Sequence, residues 1–128
     1  MAKTRVFVSF DYDNDLDLKT FLVGQAQNSD SPFEIADWSI KDASPGWKTE
    51  ARKRIKNSAV VAVICGEHTD KATGVSIELE MAQEEDIPYF LLHGRSGKTV
   101  KKPTSAKSTD DVYNWTWENL KNLVGGSR

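Results

Sequence analysis

Apolar residues gather in three short runs along the chain, and each run ends at a polar or glycine-containing segment. The runs cover residues 5–10, 59–65 and 88–93, and the second is a nearly continuous stretch of valine, alanine and isoleucine. Uninterrupted runs of this length are typical of strands that are covered on both faces of a sheet. A weaker, alternating run over Phe33–Trp38 predicts a fourth strand nearer an edge.

Helical periodicity occupies the segments between these strands. Apolar positions three and four residues apart form four stripes, which predict a helix after each of the first three strands and another near the end of the sequence. The stripes are Leu18, Phe21, Leu22 and Ala26; Trp47, Ala51 and Ile55; Val75, Leu79 and Ala82; and Tyr113, Trp117, Leu120 and Val124. Asp15 or Asp17 is available as the N-cap of the first helix. The polar stretch 95–111 predicts a loop with one short edge strand around residues 98–101.

The alternation of strands and helices predicts an α/β fold with a mostly parallel sheet, right-handed crossovers and helices on both faces. Ligands of such sheets bind beyond the carboxyl ends of the strands. Those ends fall at residues 10–13, 38–39, 65–69 and 93–94. We therefore expect any binding or catalytic residues to lie in these segments and in the helix starts that follow them.

Size and composition narrow the class of protein. The 128 residues, of which 38% are hydrophobic and 28% charged, predict one soluble domain over residues 1–128 that needs no metal or disulfide to fold. A single cysteine, Cys65, excludes an internal disulfide, and with only two histidines a zinc site is not expected. No apolar run is long enough for a signal peptide or a bilayer, so we expect a cytoplasmic protein without membrane contact.

The net charge of −2 argues against a general nucleic-acid binder, but it is the sum of four blocks. Subtracting Asp and Glu from Lys and Arg leaves −4 over residues 1–44, +4 over 45–58, −6 over 59–94 and +4 over 95–128. Two interpretations stay open: complementary faces for self-association, or solvated helix faces.

Several familiar motifs fail on spacing or position. The segment 94–99 has two residues, not four, between its first glycine and Gly-Lys-Thr, which excludes a phosphate-binding loop. The acidic run 11–17 has leucine where a calcium loop needs glycine. A phosphoacceptor receiver would need an aspartate at the end of the third strand, where this chain has Cys65. A flavodoxin loop would bind phosphate, which the acidic run would repel.

Glu78 is the strongest single candidate for chemistry. It lies about one turn after Gly74, where a helix begins close to the functional edge and to the positive end of the helix dipole. A surface glutamate at a helix start is the simpler explanation, and the spacing alone does not decide between the two.

Five segments together give the chain a resemblance to the TIR-like family, once catalogued as a domain of unknown function, that includes the sensor proteins of Thoeris antiphage defence. The segments are 6–13 (VFVSFDYD), 35–39 (IADWS), 66–69 (GEHT), 74–79 (GVSIEL) and 113–120 (YNWTWENL). The resemblance covers nearly the whole chain. It implies a flavodoxin-like, TIR-like three-layer sandwich with a parallel sheet of four to five strands in the order 2-1-3-4-5.

The resemblance also implies an activity. In the wider TIR fold a Trp-Cys-x-x-Glu-Leu segment opens the third helix, and its glutamate hydrolyses NAD; the matching glutamate here is Glu78, and Gly74 stands in place of the tryptophan. NAD would be cleaved at the nicotinamide–ribose bond, giving ADP-ribose or a cyclic signalling isomer. NAD is then the substrate, with no separate cofactor and no metal. Its expected contacts are stacking on Phe10 and Trp38 and hydrogen bonds from Asp11, His68 and Thr69.

The diphosphate of NAD lacks an obvious partner in the sequence. The loop after the first strand is acidic and no glycine-rich cradle exists, so we expect the cations from Lys41, Lys48 or a second protomer. The resemblance implies self-association or partner TIR-like protomers, and a downstream effector protein that reads the nucleotide. The alternative is a non-catalytic scaffold that binds partner proteins, which Gly74 and the acidic loop favour.

Overall fold

Residues 3–39 and 45–126, which are the residues described by this computed structural model, form five strands and four α-helices. The strands are β1 (Thr4–Ser9), β2 (Phe33–Trp38), β3 (Val60–Cys65), β4 (Tyr89–His93) and β5 (Val112–Asn114). The helices are α1 (Leu16–Ala26), α2 (Trp47–Lys56), α3 (Thr73–Glu84) and α4 (Trp117–Val124), and a single 3₁₀ turn covers Thr69–Lys71.

All strand pairs are parallel, and their order is β2-β1-β3-β4-β5. This confirms the predicted α/β fold, the strand order and the position of β2 at an edge. The central strand β3 is buried at all six positions, as its uninterrupted apolar run predicts.

Helices cover both faces of the sheet and make a three-layer sandwich. In β1, Val6 and Val8 point toward α1 and α4, whereas Phe7 points toward α2 and α3. The same alternation in β3 sends Ala62 and Ile64 to one core and Val61, Val63 and Cys65 to the other. Two apolar cores therefore lie on opposite sides of one sheet, and the face of each strand residue determines which helices it meets.

Two predictions near the end of the chain were wrong. The last strand is Val112–Asn114, not a segment around residues 98–101, and Tyr113 belongs to it rather than to a helical stripe. Leu92 lies opposite Tyr113 in the β4–β5 register, so pairing with β4 selects the strand. A three-residue strand is too short to show a period of its own. Helix α4 starts only at Trp117, where the Thr116 hydroxyl accepts a hydrogen bond from the Asn119 amide.

Helix α1 also differs from its predicted stripe. Phe21 is 59% exposed and its ring packs edge-on against Trp115 at 5.5 Å between centroids. Asp15 is the N-cap residue, but its carboxylate makes no capping hydrogen bond and instead turns toward Arg95. Over residues 3–39 and 45–126, no helix combines the length and the apolar character needed to cross a bilayer.

Ion pairs join the oppositely charged blocks within one chain. Arg52 of α2 contacts Glu84 and Glu85 at the end of α3, both at 2.8 Å. Arg95 contacts Asp15 at 3.2 Å and Asp17 at 2.7 Å. Pairing inside the protomer therefore accounts for part of the segregated charge that the sequence displays.

Candidate functional site

A cleft of about 560 Å³ opens at the carboxyl ends of β1, β2 and β3. Its volume is within the usual range for small-molecule sites, and its place in the fold is the one predicted from the parallel sheet. The lining comes from the segment after β1 (Phe10 to Asn14), from Ser39 and Trp47, and from His68, Lys71, Ala72, Thr73, Gly74, Val75 and Glu78.

Glu78 reaches the cleft from the second turn of α3 and is almost completely buried, with 1% of its surface exposed. Its Oε1 atom accepts a hydrogen bond from the Ser9 hydroxyl at 2.7 Å and another from the Ser39 hydroxyl at 2.6 Å. The two serines come from the ends of neighbouring strands. A carboxylate is thus fixed where three elements of the fold meet.

An irregularity in β2 brings Ser39 to this position. Val6 lies opposite Ile35, but the next residue, Phe7, lies opposite Asp37, so β2 carries one extra residue. Side chains alternate between the faces of a strand, and the extra residue reverses the alternation beyond it. Trp38 consequently joins the core beneath α1, and Ser39, on the other face, points toward α3.

Three of the predicted substrate contacts line the cleft together with Glu78. Phe10 is buried, and its ring lies 4.5 Å from that of Tyr12. The Asp11 carboxylate accepts hydrogen bonds from the Asp13 amide at 3.1 Å and from the Asn14 side-chain amide at 2.7 Å. His68 is exposed at the start of the 3₁₀ turn.

The other two predicted contacts lie outside the cleft. Trp38 packs on the opposite face of the sheet, where the Lys19 ammonium lies 4.5 Å from the centre of its ring. Thr69 is completely buried, and its hydroxyl accepts a hydrogen bond from the Gly66 amide at 2.7 Å. Thr69 thus holds the loop after β3 in shape.

The sequence gives weak signals for several residues that line or support the cleft. Ser9 follows Phe7 by two positions, so the strand period places both on the α3 face, and this could have identified it. Ser39 could not be found in this way, because the extra residue in β2 reverses its face. Tyr12 and Trp47 add aromatic surface that sequence reasoning did not assign to the site.

Lys71 is the cation that the sequence did not single out. It is exposed in the lining of the cleft and forms no ion pair with any residue in the described ranges. Lys48, proposed earlier for the diphosphate, lines a separate groove between α2 and α3. Lys41, the other proposed cation, lies outside the described residues.

A charged cluster of Arg95, Asp15 and Asp17 supports the loop between β1 and α1. The guanidinium of Arg95 donates to both carboxylate oxygens of Asp17, at 2.7 and 2.8 Å, and to the backbone carbonyl of Asn14 at 2.9 Å. Burial raises the pKa of Asp15, an effect that Arg95 partly offsets, whereas the hydrogen bond from Arg95 lowers the pKa of Asp17. Arg95 thereby ties residues 14–17 to the segment after β4.

The position of Gly74, where the wider fold has tryptophan, is open. A Cβ atom there would meet no other heavy atom within 4 Å, and the residue lines the cleft.

Across residues 3–39 and 45–126, no group of three or more His, Cys, Asp or Glu side chains is placed to hold a metal ion.

The sequence matches the model of a known family. The family model for the TIR-like domain of the Thoeris protein ThsB matches residues 7–99. This range runs from within β1 to beyond β4 and contains every residue that lines the cleft. A search of the curated proteins found no match.

Proposed function

The chain belongs to the family of TIR-like domains of the Thoeris protein ThsB, which suggests an antiphage defence domain, and we propose that it cleaves NAD between nicotinamide and ribose. The observation that carries the proposal is the Glu78 carboxylate, held by Ser9 and Ser39 in the cleft at the carboxyl ends of the strands. Glu78 also occupies the position of the NAD-hydrolysing glutamate in the Trp-Cys-x-x-Glu-Leu segment of the wider TIR fold.

The reaction needs a fixed negative charge near the ribose. The bond between C1′ and the nicotinamide nitrogen breaks, and its electron pair leaves with nicotinamide. The ribose becomes oxocarbenium-like, and the Glu78 carboxylate stabilises its positive charge. Water then adds to C1′ and loses a proton, giving ADP-ribose. Attack by a nucleophile of the same molecule instead gives a cyclic isomer.

The lining of the cleft supports a nucleotide substrate. Tyr12 and Trp47 offer aromatic surface for a base or the nicotinamide ring, and Phe10 backs Tyr12 from the core. Asp11 and His68 supply polar groups for hydrogen bonds with the sugars.

Lys71, in the lining of the cleft, offers a cation for the diphosphate. Its ammonium forms no ion pair among the described residues, and Lys71 lies two positions before the start of α3, whose N-cap residue makes no side-chain capping bond. A helix start of this kind favours negative charge. Within a single protomer we therefore assign the diphosphate of NAD to Lys71 rather than to Lys48.

We further propose that the product is a signal for a downstream effector protein and that protomers of this domain self-associate. Both proposals follow from the family. The segregated charge blocks are not an argument for self-association, because Arg52 and Arg95 already bind acidic residues of their own chain.

The test is release of nicotinamide from NAD by the purified full chain, with and without a lysate of phage-infected cells, measured by chromatography. Glu78→Gln keeps an oxygen that can accept from both serines but removes the charge. Glu80→Gln is the matched control, since Glu80 is exposed two residues away and lines the groove between α2 and α3. We expect activity in wild type and Glu80→Gln and at least a 100-fold loss in Glu78→Gln. Absence of nicotinamide release under every condition contradicts the proposal.

A second candidate is a non-catalytic module that binds partner proteins. Only 1% of Glu78 is exposed, so contact with a ribose requires a local rearrangement, whereas a purely structural role requires none. The absence of tryptophan at Gly74 agrees with this candidate. Partner binding that survives Glu78→Gln, in a protein that never releases nicotinamide, would favour it over the enzyme.

A further inference from the structure

We infer that Ser9 and Ser39 are positioning residues that hold the Glu78 carboxyl group in a single orientation in the cleft. The inference concerns the geometry of Glu78, and its catalytic meaning rests on the proposed function. Neither serine was assigned a role by the sequence or by the family match.

Both hydroxyls bind the same oxygen in a buried environment. Ser9 is completely buried, Ser39 is 5% exposed and Glu78 is 1% exposed. Their distances to Oε1, 2.7 and 2.6 Å, fall in the short range of hydrogen bonds from a hydroxyl to an ionised carboxylate. Bulk water has little access to compete with these bonds.

The direction of the Ser39 bond is set by the backbone. The Phe10 amide can only donate, and it donates to Ser39 Oγ at 3.0 Å. The one hydroxyl proton of Ser39 is therefore available for Glu78 Oε1. Two donors on one oxygen favour the ionised form of a carboxyl group, because a protonated carboxyl oxygen accepts such bonds less well.

The fold departs from regular strand geometry at the point that makes this contact possible. With a regular β2, Ser39 would lie on the α1 face with Ile35, and Trp38 would face α3. The extra residue exchanges the two, so that a small hydroxyl side chain, not an indole ring, lies over Glu78. Such bulges commonly re-aim a side chain next to a functional site.

A carboxylate fixed in advance needs no reorganisation when positive charge develops on the ribose. Loss of one donor should therefore lower kcat by about 10- to 100-fold, the usual effect of removing a supporting hydrogen bond. The KM for NAD should change less than twofold, because the hydroxyl groups of both serines are already engaged with Glu78.

The variants are Ser9→Ala, Ser39→Ala and the conservative Ser39→Thr. Ser31→Ala is the matched control: Ser31 is 5% exposed, donates to the Phe33 carbonyl at 2.7 Å and accepts from the Phe33 amide at 3.2 Å, at the other end of β2. It therefore loses the same type of buried bonds without touching Glu78. Within the described part of the chain, the other titratable side chains that line the cleft are Asp11, Tyr12, Asp13, His68 and Lys71, and every variant retains them.

The deciding measurement follows the ¹³C-carboxyl signal of Glu78, assigned with Glu78→Gln, as pH falls. Glu78 should take up its proton at higher pH in Ser9→Ala and Ser39→Ala than in wild type, and Ser39→Thr and Ser31→Ala should resemble wild type. The acidic limb of NAD cleavage should move in the same direction. Identical Glu78 titrations in wild type and both alanine variants would overturn the inference. A shifted titration in a protein that releases no nicotinamide would support the positioning role and contradict the proposed function instead.

Discussion

The carboxylate of Asp15 lies directly against the α-carbon of Gly66. A Cβ atom at position 66 would come within 2.7 Å of Asp15 Cγ. Neither partner can move away freely, because Asp15 is buried and paired with Arg95, and the Gly66 carbonyl accepts a hydrogen bond from the Lys101 amide at 2.9 Å. Glycine at the end of β3 is thus required by close approach.

Gly66→Ala should therefore lower the free energy of unfolding by about 1–3 kcal/mol, the usual effect of overpacking a buried contact. Urea unfolding followed by circular dichroism measures the change. Gly24→Ala is the control, since a Cβ at Gly24 meets nothing within 4 Å in the interior of α1. It should raise the free energy of unfolding by about 0.5–1 kcal/mol. Equal effects of the two substitutions would show that the Asp15 contact is not restrictive.

Asp15 and Asp17 should affect the pH dependence of stability in opposite directions. Burial raises the pKa of Asp15 above 3.8, so its contribution to the free energy of unfolding is greatest below pH 3.8 and decreases as pH rises through the raised pKa. The hydrogen bond from Arg95 lowers the pKa of Asp17, so its contribution is present above pH 3.8 and is lost as pH falls through the lowered pKa.

Urea unfolding between pH 3 and pH 7 tests this with Asp15→Asn and Asp17→Asn. The stability of wild type relative to Asp15→Asn should fall with rising pH, and that relative to Asp17→Asn should rise. Both variants weaken the contact with Arg95, so a loss of stability alone does not distinguish them. The test is the sign of the slope of the stability difference against pH. Parallel slopes for the two variants would contradict the assigned environments.

The sequence predicts most of this fold because apolar period and burial agree along the chain. The unbroken apolar run of β3 and the alternating run of β2 give the central and the edge strand correctly. The exception is β5, where Val112–Asn114 is selected by pairing with β4 and not by a local pattern. Tyr113 therefore has the spacing of a helical stripe and the conformation of a strand.

Only those residues of the candidate site that directly follow a strand could be predicted from the sequence. Phe10, Asp11 and His68 follow strands and do line the cleft with Glu78. Trp38 also follows this rule, but the extra residue in β2 turns it to the other face, which no period in the sequence indicates. Lys71 lies on a short 3₁₀ turn, and its position in the cleft depends on tertiary structure alone.

Cys65 should be inert in the folded protein. Burial raises the pKa of its thiol from 9.0 to about 12, which leaves about 1000-fold less thiolate at pH 8 than an unperturbed group has. Labelling with a disulfide reagent at pH 8 should therefore be slow, and it should become fast in urea. Gly66→Ala, next to the thiol, should accelerate labelling in the absence of urea. A labelling rate like that of a free thiol in native wild type would contradict the buried position of β3.

Lys71→Ala should weaken NAD binding through loss of charge in the cleft. We expect KM for NAD to rise about tenfold while kcat changes little, because the diphosphate lies away from the bond that breaks. Lys48→Ala is the matched control, since Lys48 is an exposed lysine outside the cleft and should leave KM unchanged. Nicotinamide riboside, which lacks the diphosphate, provides a second comparison: its cleavage should be equally fast in wild type and Lys71→Ala. A rise in KM for both substrates would instead indicate that Lys71 supports the shape of the cleft. An unchanged KM for NAD would contradict the role of Lys71 and would indicate that cations of another protomer bind the diphosphate.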